Sequence, residues 1–485
     1  MTSEPADRLR RYAVIGGGIT GLAAAHRLTE LNPGASVTLL EAGDQLGGSL
    51  RTIDRDGFLI EQGADSFITN VPWALDLCGR VGMADQLIST NPVHRGAAVV
   101  RRGRLYKLPA GFQLMATPRV WPILTSPILS LPGRWRMASE RFISPRTEER
   151  EESLAEFASR RLGREAFEWL VEPLISGIFT ADARRLSVAA VVPQFVEMER
   201  RWGSLTRGMR QRPATEAGND PAVTGARYGL FSAPRQGMRK LVEAVAARLP
   251  AQSIETECPI SGISVMHDGR WQLTLSKGSE RRCYDGVILA VAAPVAAQLV
   301  RDELPELGAL LADIEYVSST VVSLTYRSEQ VTRPVDCFGL VVPAAEQRSI
   351  LAASFSSNKF PERAPQGRLL IRVFLGGALR PELAELPDNE LSCLATNELR
   401  ELLGIVGEPG FCQVTRWQRA MPQYNIGHLE RVGNIKRQID RIDGLQLAGN
   451  AYQGVGIPQC VYSGERAAER LLQQDEDAGA GRTPG

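Results

Sequence analysis

This 485-residue chain contains no long apolar run, no zinc-type cysteine pattern and no excess of either charge, and each absence removes a class of function. With no eighteen consecutive apolar residues, no membrane-spanning helix is expected. The first eleven residues carry Glu, Asp and several Arg and lack the apolar stretch of a signal peptide, so a cytoplasmic location is expected. The seven cysteines (Cys78, Cys258, Cys283, Cys337, Cys393, Cys412, Cys460) form no CxxC pair, and His26, His94, His267 and His428 are scattered, so no metal site is expected. An odd, dispersed set of cysteines fits free thiols in a reducing compartment. Lys and Arg number 56 against 55 for Asp and Glu, which leaves no global field to attract nucleic acid. There is no G-x-S-x-G, H-E-x-x-H or P-loop signature to suggest a hydrolase. The length predicts two or three domains.

Against these absences stands a dense N-terminal pattern. Tyr12-Ala13-Val14-Ile15 runs into Gly16-Gly17-Gly18-Ile19-Thr20-Gly21, then an apolar helical stretch through Leu28, then Val37-Thr38-Leu39-Leu40-Glu41. Strand, glycine turn, helix, strand and terminal carboxylate together make a dinucleotide-binding unit. Gly16 permits the tight turn, Gly18 lets a pyrophosphate approach the backbone, and Gly21 lets the helix pack close. The helix N-terminus offers free amides and a favourable dipole to the phosphates. Glu41, twenty residues past Gly21, is placed to accept from a ribose diol and to repel a 2′-phosphate. Gly47-Gly48-Ser49-Leu50-Arg51-Thr52 resembles the FAD-binding extension of glutathione-reductase-like flavoproteins, which favours FAD over NAD. Gly48 opens the backbone to the diphosphate, and Arg51 supplies a charge-assisted contact.

Further along, residues 57–67 read as a strand leading into a loop, and residues 151–198 turn helical. Residues 203–229 read as a mobile loop. A helix opens at Gly237 with Met238, Leu241, Val245 and Leu249 on one face. Residues 260–266, 271–275 and 283–290 form a meander with a hairpin signal at Asp268-Gly269. Strand-like runs at 320–326, 339–342 and 369–375 and a helix at 389–403 mark a second region. The stretch 108–135 is strongly apolar but broken by five prolines, so it forms short helices that either rest on a bilayer surface or line an apolar pocket. Near the C-terminus, a strand ending at Ala448-Gly449-Asn450 leads through Gly454-Val455-Gly456-Ile457-Pro458 into a last helix. Pro458 suits the helix's first turn, and its positive end could face the flavin pyrimidine.

Three segments carry a resemblance to the FAD-dependent porphyrinogen oxidases, a family that includes protoporphyrinogen oxidase and bacterial coproporphyrinogen III oxidase. Residues 172–182 (EPLISGIFTAD), continuing to Leu186-Ser187, are the most specific. Residues 57–67 and 448–458 match the family's DGF segment and final flavin loop, and the resemblance spans nearly the whole chain. It implies an α/β protein with a glutathione-reductase-like FAD-binding Rossmann domain, an inserted α+β substrate domain and a helical domain open to membrane-surface contact. The expected division is FAD binding at 8–90, 226–300 and 436–473, substrate domain at 91–110 and 301–435, helical domain at 111–225, and a disordered tail at 474–485. Gly16, Gly18, Gly21 and Glu41 are implied to hold the AMP half of FAD, with Gly48 and Arg51 nearby. Ile260 is implied to contact adenine through its backbone, and Gly449, Val455, Gly456 and Ile457 to lie at the flavin end. Arg95 falls near an arginine that holds a substrate propionate, and Gly177 near the small residue beside the macrocycle.

Two positions depart from the pattern. Arg235-Gln236-Gly237 replaces the family's glycine pair, and Asn450 stands where an acidic residue is common. The implied chemistry is oxygen-dependent removal of six electrons from protoporphyrinogen IX or coproporphyrinogen III, with hydrogen peroxide as product. No catalytic side chain is required, because flavin N5 carries the hydride and the protein supplies orientation and field. A flavin amine-oxidase-like oxidoreductase, or a porphyrin-binding flavoprotein without turnover, is the alternative. Peripheral contact with the inner face of the membrane and a homodimer both stay open.

Overall fold

The computed structural model describes residues 9–94, 96–146, 148, 150–211, 231–276, 280–333 and 335–480, with side chains to residue 477. The opening strand, Arg11–Ile15, lies third in a five-stranded parallel sheet. The strand order is Ile254–Glu255, Ser36–Leu40, Arg11–Ile15, Gly286–Leu289, Leu445–Leu447. Its members come from three distant stretches of chain. They are almost continuously apolar because both faces are covered: the opening helix Ile19–Leu31 and the closing helix Ile457–Ala480 pack on one side. The other side packs against helices Ala293–Val300, Pro305–Ala312 and His428–Ile439.

A second, seven-stranded sheet is mainly antiparallel. Its order is Cys412–Pro422, Tyr316–Arg327, Arg368–Gly376, Ala352–Phe355, Gly339–Val341, Ala97–Arg101, Arg104–Lys107. Gly339–Val341 and Ala97–Arg101 pair in parallel, which ties residues near 100 to the second half of the chain. One face of this sheet meets a helical layer in which Phe112, Met115, Ile128, Phe157, Leu170 and Ile175 are buried.

Several expectations shift on contact with the structure. The run 283–290, read as one meander strand, breaks at Asp285. Arg281–Tyr284 completes a three-stranded antiparallel sheet, whereas Gly286–Leu289 enters the parallel one. The segment from 474, read as disordered on composition, stays helical to Ala480. Tyr12 donates to the Asp475 carboxylate and Gln446 Nε2 donates to Gln474 at 3.2 Å, so tertiary contacts override composition. Of the loop expected at 203–229, residues Leu205–Gln211 are helix and residues 212–229 lie outside the described residues. Within the proline-broken stretch Phe112, Ile123 and Leu129 are buried, while Trp121, Leu131 and Trp135 are exposed. All seven cysteines are free thiols.

Candidate active site

The glycine turn has the geometry a diphosphate needs. Gly16 sits at φ 108°, and a Cβ there would lie 2.5 Å from the Ala290 carbonyl oxygen. A Cβ on Gly21 would lie 1.9 Å from the Gly16 carbonyl oxygen, so only glycine lets the helix start this close to the strand. Gly18 is different: φ is −70° and a Cβ would touch nothing within 4 Å. The space over it is open. Gly18 is also the helix N-cap and carries no capping side chain, so the first-turn amides keep their donors free for an anion.

The second glycine doublet folds back onto this turn. Gly47 N–H donates to the Gly17 carbonyl at 2.8 Å, Gly18 and Gly47 form a parallel bridge, and a Cβ on Gly48 would sit 3.4 Å from Gly18 Cα. Arg51 Nε donates to the Gly48 carbonyl at 3.1 Å. Glu41 is anchored by two amides, Gly17 N–H to Oε2 at 2.6 Å and Gly43 N–H to Oε1 at 2.8 Å. Each carboxylate oxygen retains a second lone pair for a hydroxyl donor. Cys258 N–H donates to the Glu41 carbonyl at 2.9 Å, which brings Ile260, at the start of strand Ile260–Val265, toward the same end.

Beneath the doublet lies a carboxyl group that motif reading did not single out for a role. Glu61 is buried; its Oε2 accepts from Thr52 at 2.8 Å and its Oε1 from Met238 N–H at 2.9 Å, while Arg239 N–H donates to Thr52 at 3.0 Å. Burial pushes Glu61 up to about 7, against those hydrogen bonds. Gly237, the survivor of the expected glycine pair, has φ 93° and no room for a Cβ beside Thr52. The single glycine therefore suffices for the turn. Asp65 joins this segment to the seven-stranded sheet through Lys359 at 2.7 Å and Arg372 at 3.3 Å. Burial alone would raise Asp65, but the two cations hold it well below the usual carboxylate range.

At the other end of the chain, Gly449 N–H donates to Ser463 at 3.0 Å. The loop 449–457 is further stapled by Tyr424, whose hydroxyl accepts from Gly454 N–H at 2.8 Å and donates to the Asn450 carbonyl at 2.5 Å. That contact uses the backbone of Asn450, not the side chain that stands where an acidic residue is common. His428 stacks on the Tyr424 ring at 4.0 Å; it is buried, and burial pushes it down to about 4, so it is neutral at physiological pH. Neither residue carries a motif that the sequence alone would mark.

Helix Glu172–Phe179 follows a short π-helical turn, Phe167–Val171. Burial pushes Glu172 upward; it accepts from Ser176 at 2.9 Å and from Ala344 N–H at 3.1 Å, locking the helix to the seven-stranded sheet. A Cβ on Gly177 would come within 3.4 Å of Val341 and 3.5 Å of Ala352. The segment then runs directly to the staple: Ser187 N–H donates to the Tyr424 carbonyl at 2.8 Å, and Ile426 N–H to the Arg185 carbonyl at 2.9 Å. Residues 172–187 are thus one residue removed from the loop holding Val455, Gly456 and Ile457. Arg95 lies outside the described residues.

A parallel dinucleotide sheet, an open glycine cradle and a closing glycine loop converging on it define an FAD-dependent oxidoreductase. The chain belongs to the flavin containing amine oxidoreductase family, whose model matches residues 19–472. It is 34% identical to coproporphyrinogen III oxidase of Propionibacterium freudenreichii subsp. freudenreichii, over 97% of this chain and 92% of that protein. It is 31% identical to coproporphyrinogen III oxidase of Bacillus subtilis (strain 168), covering 96% and 98%, and 29% identical to chloroplastic protoporphyrinogen oxidase of Nicotiana tabacum, covering 94% and 84%. A solved structure described as a candidate protoporphyrinogen oxidase from Exiguobacterium sp. 255-15 superposes with a TM-score of 0.84 at 30% identity, covering 96% of this chain and 99% of that one. Reduced UDP-galactopyranose mutase shares the fold, with a TM-score of 0.71 at 19% identity over 96% of each chain. The expected resemblance to the porphyrinogen oxidases is borne out.

Proposed function

We propose that this chain oxidises a porphyrinogen of haem biosynthesis to the porphyrin, with oxygen as acceptor and hydrogen peroxide as product. The observation that carries this reading is the 34% identity over 97% of the chain to a coproporphyrinogen III oxidase. Coproporphyrinogen III is the favoured substrate, because the 34% and 31% relatives both bear that name; protoporphyrinogen IX is the alternative.

FAD, when bound, supplies the two-electron acceptor used once in each of three steps. The chain's own residues position and exclude. Gly16, Gly18, Gly21 and Glu41 hold the AMP half, Gly48 and Arg51 flank the diphosphate, and Ile260 offers its backbone to adenine. Gly449, Val455, Gly456 and Ile457 bound the flavin end, where Tyr424 keeps the loop in one shape. Gly177, whose Cβ position faces Val341 and Ala352 at van der Waals distance, is the proposed small residue beside the macrocycle. Arg95 is the proposed propionate anchor, so Arg95→Ala raises KM more than it lowers kcat. The finer architecture follows the division given above, an FAD-binding domain in three pieces with substrate and helical domains inserted. Peripheral membrane contact draws support from Trp121, Leu131, Trp135 and Phe142, all exposed on the helical layer.

The test uses purified, flavin-loaded protein with each porphyrinogen under air, following porphyrin fluorescence and oxygen uptake together. Fluorescence rising with three equivalents of oxygen per porphyrin, faster for coproporphyrinogen III, is expected. Bound porphyrin without oxygen uptake would establish a carrier instead.

A further inference from the structure

A cavity of about 170 Å³ lies along the free edge of the parallel sheet, between helix His428–Ile439 and the closing helix. It shares no residue with the glycine cradle or with residues 455–457. Three cations line it, Lys436, Arg466 and Arg470, and no carboxylate does. Arg466 is paired with Glu469 at 2.7 Å, but Lys436 and Arg470 have no ion pair or side-chain hydrogen bond among the described residues. Between the cations the walls combine apolar groups, Ile435, Ile439, Leu447 and the Tyr452 ring, with the polar side chains of Gln446, Gln453 and Ser463. A surface with surplus positive charge on a partly apolar cavity is complementary to an anion carrying a hydrophobic body.

We propose that this cavity binds a small organic anion, a carboxylate on a compact aromatic or aliphatic body. Size sets the class. A void of roughly 150 Å³ takes a benzene-sized body, whereas drug-sized and larger ligands occupy about 300 Å³ or more, so a tetrapyrrole does not fit. Position gives it a consequence. Tyr452 and Gln453 line the cavity and belong to the loop that runs from Gly449 to Val455, so an occupant there braces the flavin-end loop from behind. Tyr462, also in the lining, stacks on Trp73 at 4.2 Å, which supplies an optical reporter of occupancy.

The test is calorimetric titration of the flavin-loaded full chain with benzoate, its neutral isostere benzamide, and inorganic phosphate. Flavin content is measured separately by absorbance, so failure of this site and failure of the flavin reading are distinguishable. Benzoate is expected to bind, with benzamide and phosphate each weaker by roughly tenfold or more, the loss of one charge-assisted contact or of the apolar walls. K436Q/R470Q is expected to lose benzoate binding by a similar factor, and R437Q, outside the cavity, to keep it. Equal binding of benzoate and benzamide, phosphate binding as tightly as benzoate, no benzoate binding at millimolar concentration, or unchanged binding in K436Q/R470Q each overturns the proposal.

Discussion

Gly18 and Gly21 stand three residues apart and fail differently when given a methyl group. Gly21→Ala forces a carbon to 1.9 Å from a backbone oxygen, so the helix must move and thermal stability falls sharply. Gly18→Ala meets no protein atom and keeps an ordinary φ, so the fold is expected to melt within a few degrees of the parent while flavin occupancy collapses. Melting temperature and the flavin-to-protein absorbance ratio, measured on both variants, check this pair. Retained yellow colour in Gly18→Ala would place the diphosphate elsewhere.

Glu61 gives a pH prediction at the same scale. Its carboxyl is pushed above its unfolded value of 4.5 to about 7 in the fold. The unfolded chain therefore releases this proton first, so the contribution to stability is complete below about 4.5 and is lost as pH rises to about 7. Glu61→Gln keeps a carbonyl for Met238 N–H and removes the titration. The melting temperature of the parent is expected to fall relative to the variant across that window; parallel curves would mean the carboxyl is not held protonated.

At the scale of elements, the loop 449–457 depends on its staple. Tyr424→Phe removes both a donor to Asn450 and an acceptor for Gly454 while keeping the ring stack on His428. With each of the two bonds worth about 1 kcal/mol, FAD affinity is expected to weaken by up to roughly thirtyfold, read by fluorescence titration of the apoprotein. What the sequence made legible divides along the same line. The opening βαβ unit could be read because its five signals are contiguous and each has a physical reason, steric at Gly16 and Gly21 and electrostatic at Glu41. The helix after Gly237 could be read from its period, and Met238, Leu241, Val245 and Leu249 are all buried. Tyr424 could not, because its partners lie more than twenty residues away and a lone tyrosine has no spacing to recognise. The break at Asp285 was hidden for a related reason: two strands that serve different sheets, separated by a single residue, look like one. The closing helix beyond 474 was misjudged because composition describes solvation, and Asp475 and Gln474 are held by tertiary partners.

For the molecule as a whole, Trp121, Leu131, Trp135 and Phe142 are exposed at 73%, 66%, 68% and 71%, and Arg141 sits over the Phe142 ring. Aromatic side chains beside arginine favour an anionic bilayer surface. Replacing Trp121, Trp135 and Phe142 together by Ser is expected to cut co-sedimentation with anionic vesicles several-fold while leaving turnover of dissolved substrate intact. Equal sedimentation of parent and variant would remove the membrane from the account. Among the described residues no helix is long and apolar enough to cross the bilayer.

The parallel sheet also dictates how the polypeptide must be born. Its strand at residue 11 has Gly286–Leu289 as one neighbour, and that neighbour's outer flank is covered only by Leu445–Leu447. At bacterial-type translation speeds, on the order of 5–20 residues per second, the nascent N-terminal half waits tens of seconds on the ribosome with an apolar strand edge uncovered. The last strand of the sheet is thus also the last to be made, and a premature stop before Leu445 releases a chain whose Gly286–Leu289 strand lacks its outer neighbour.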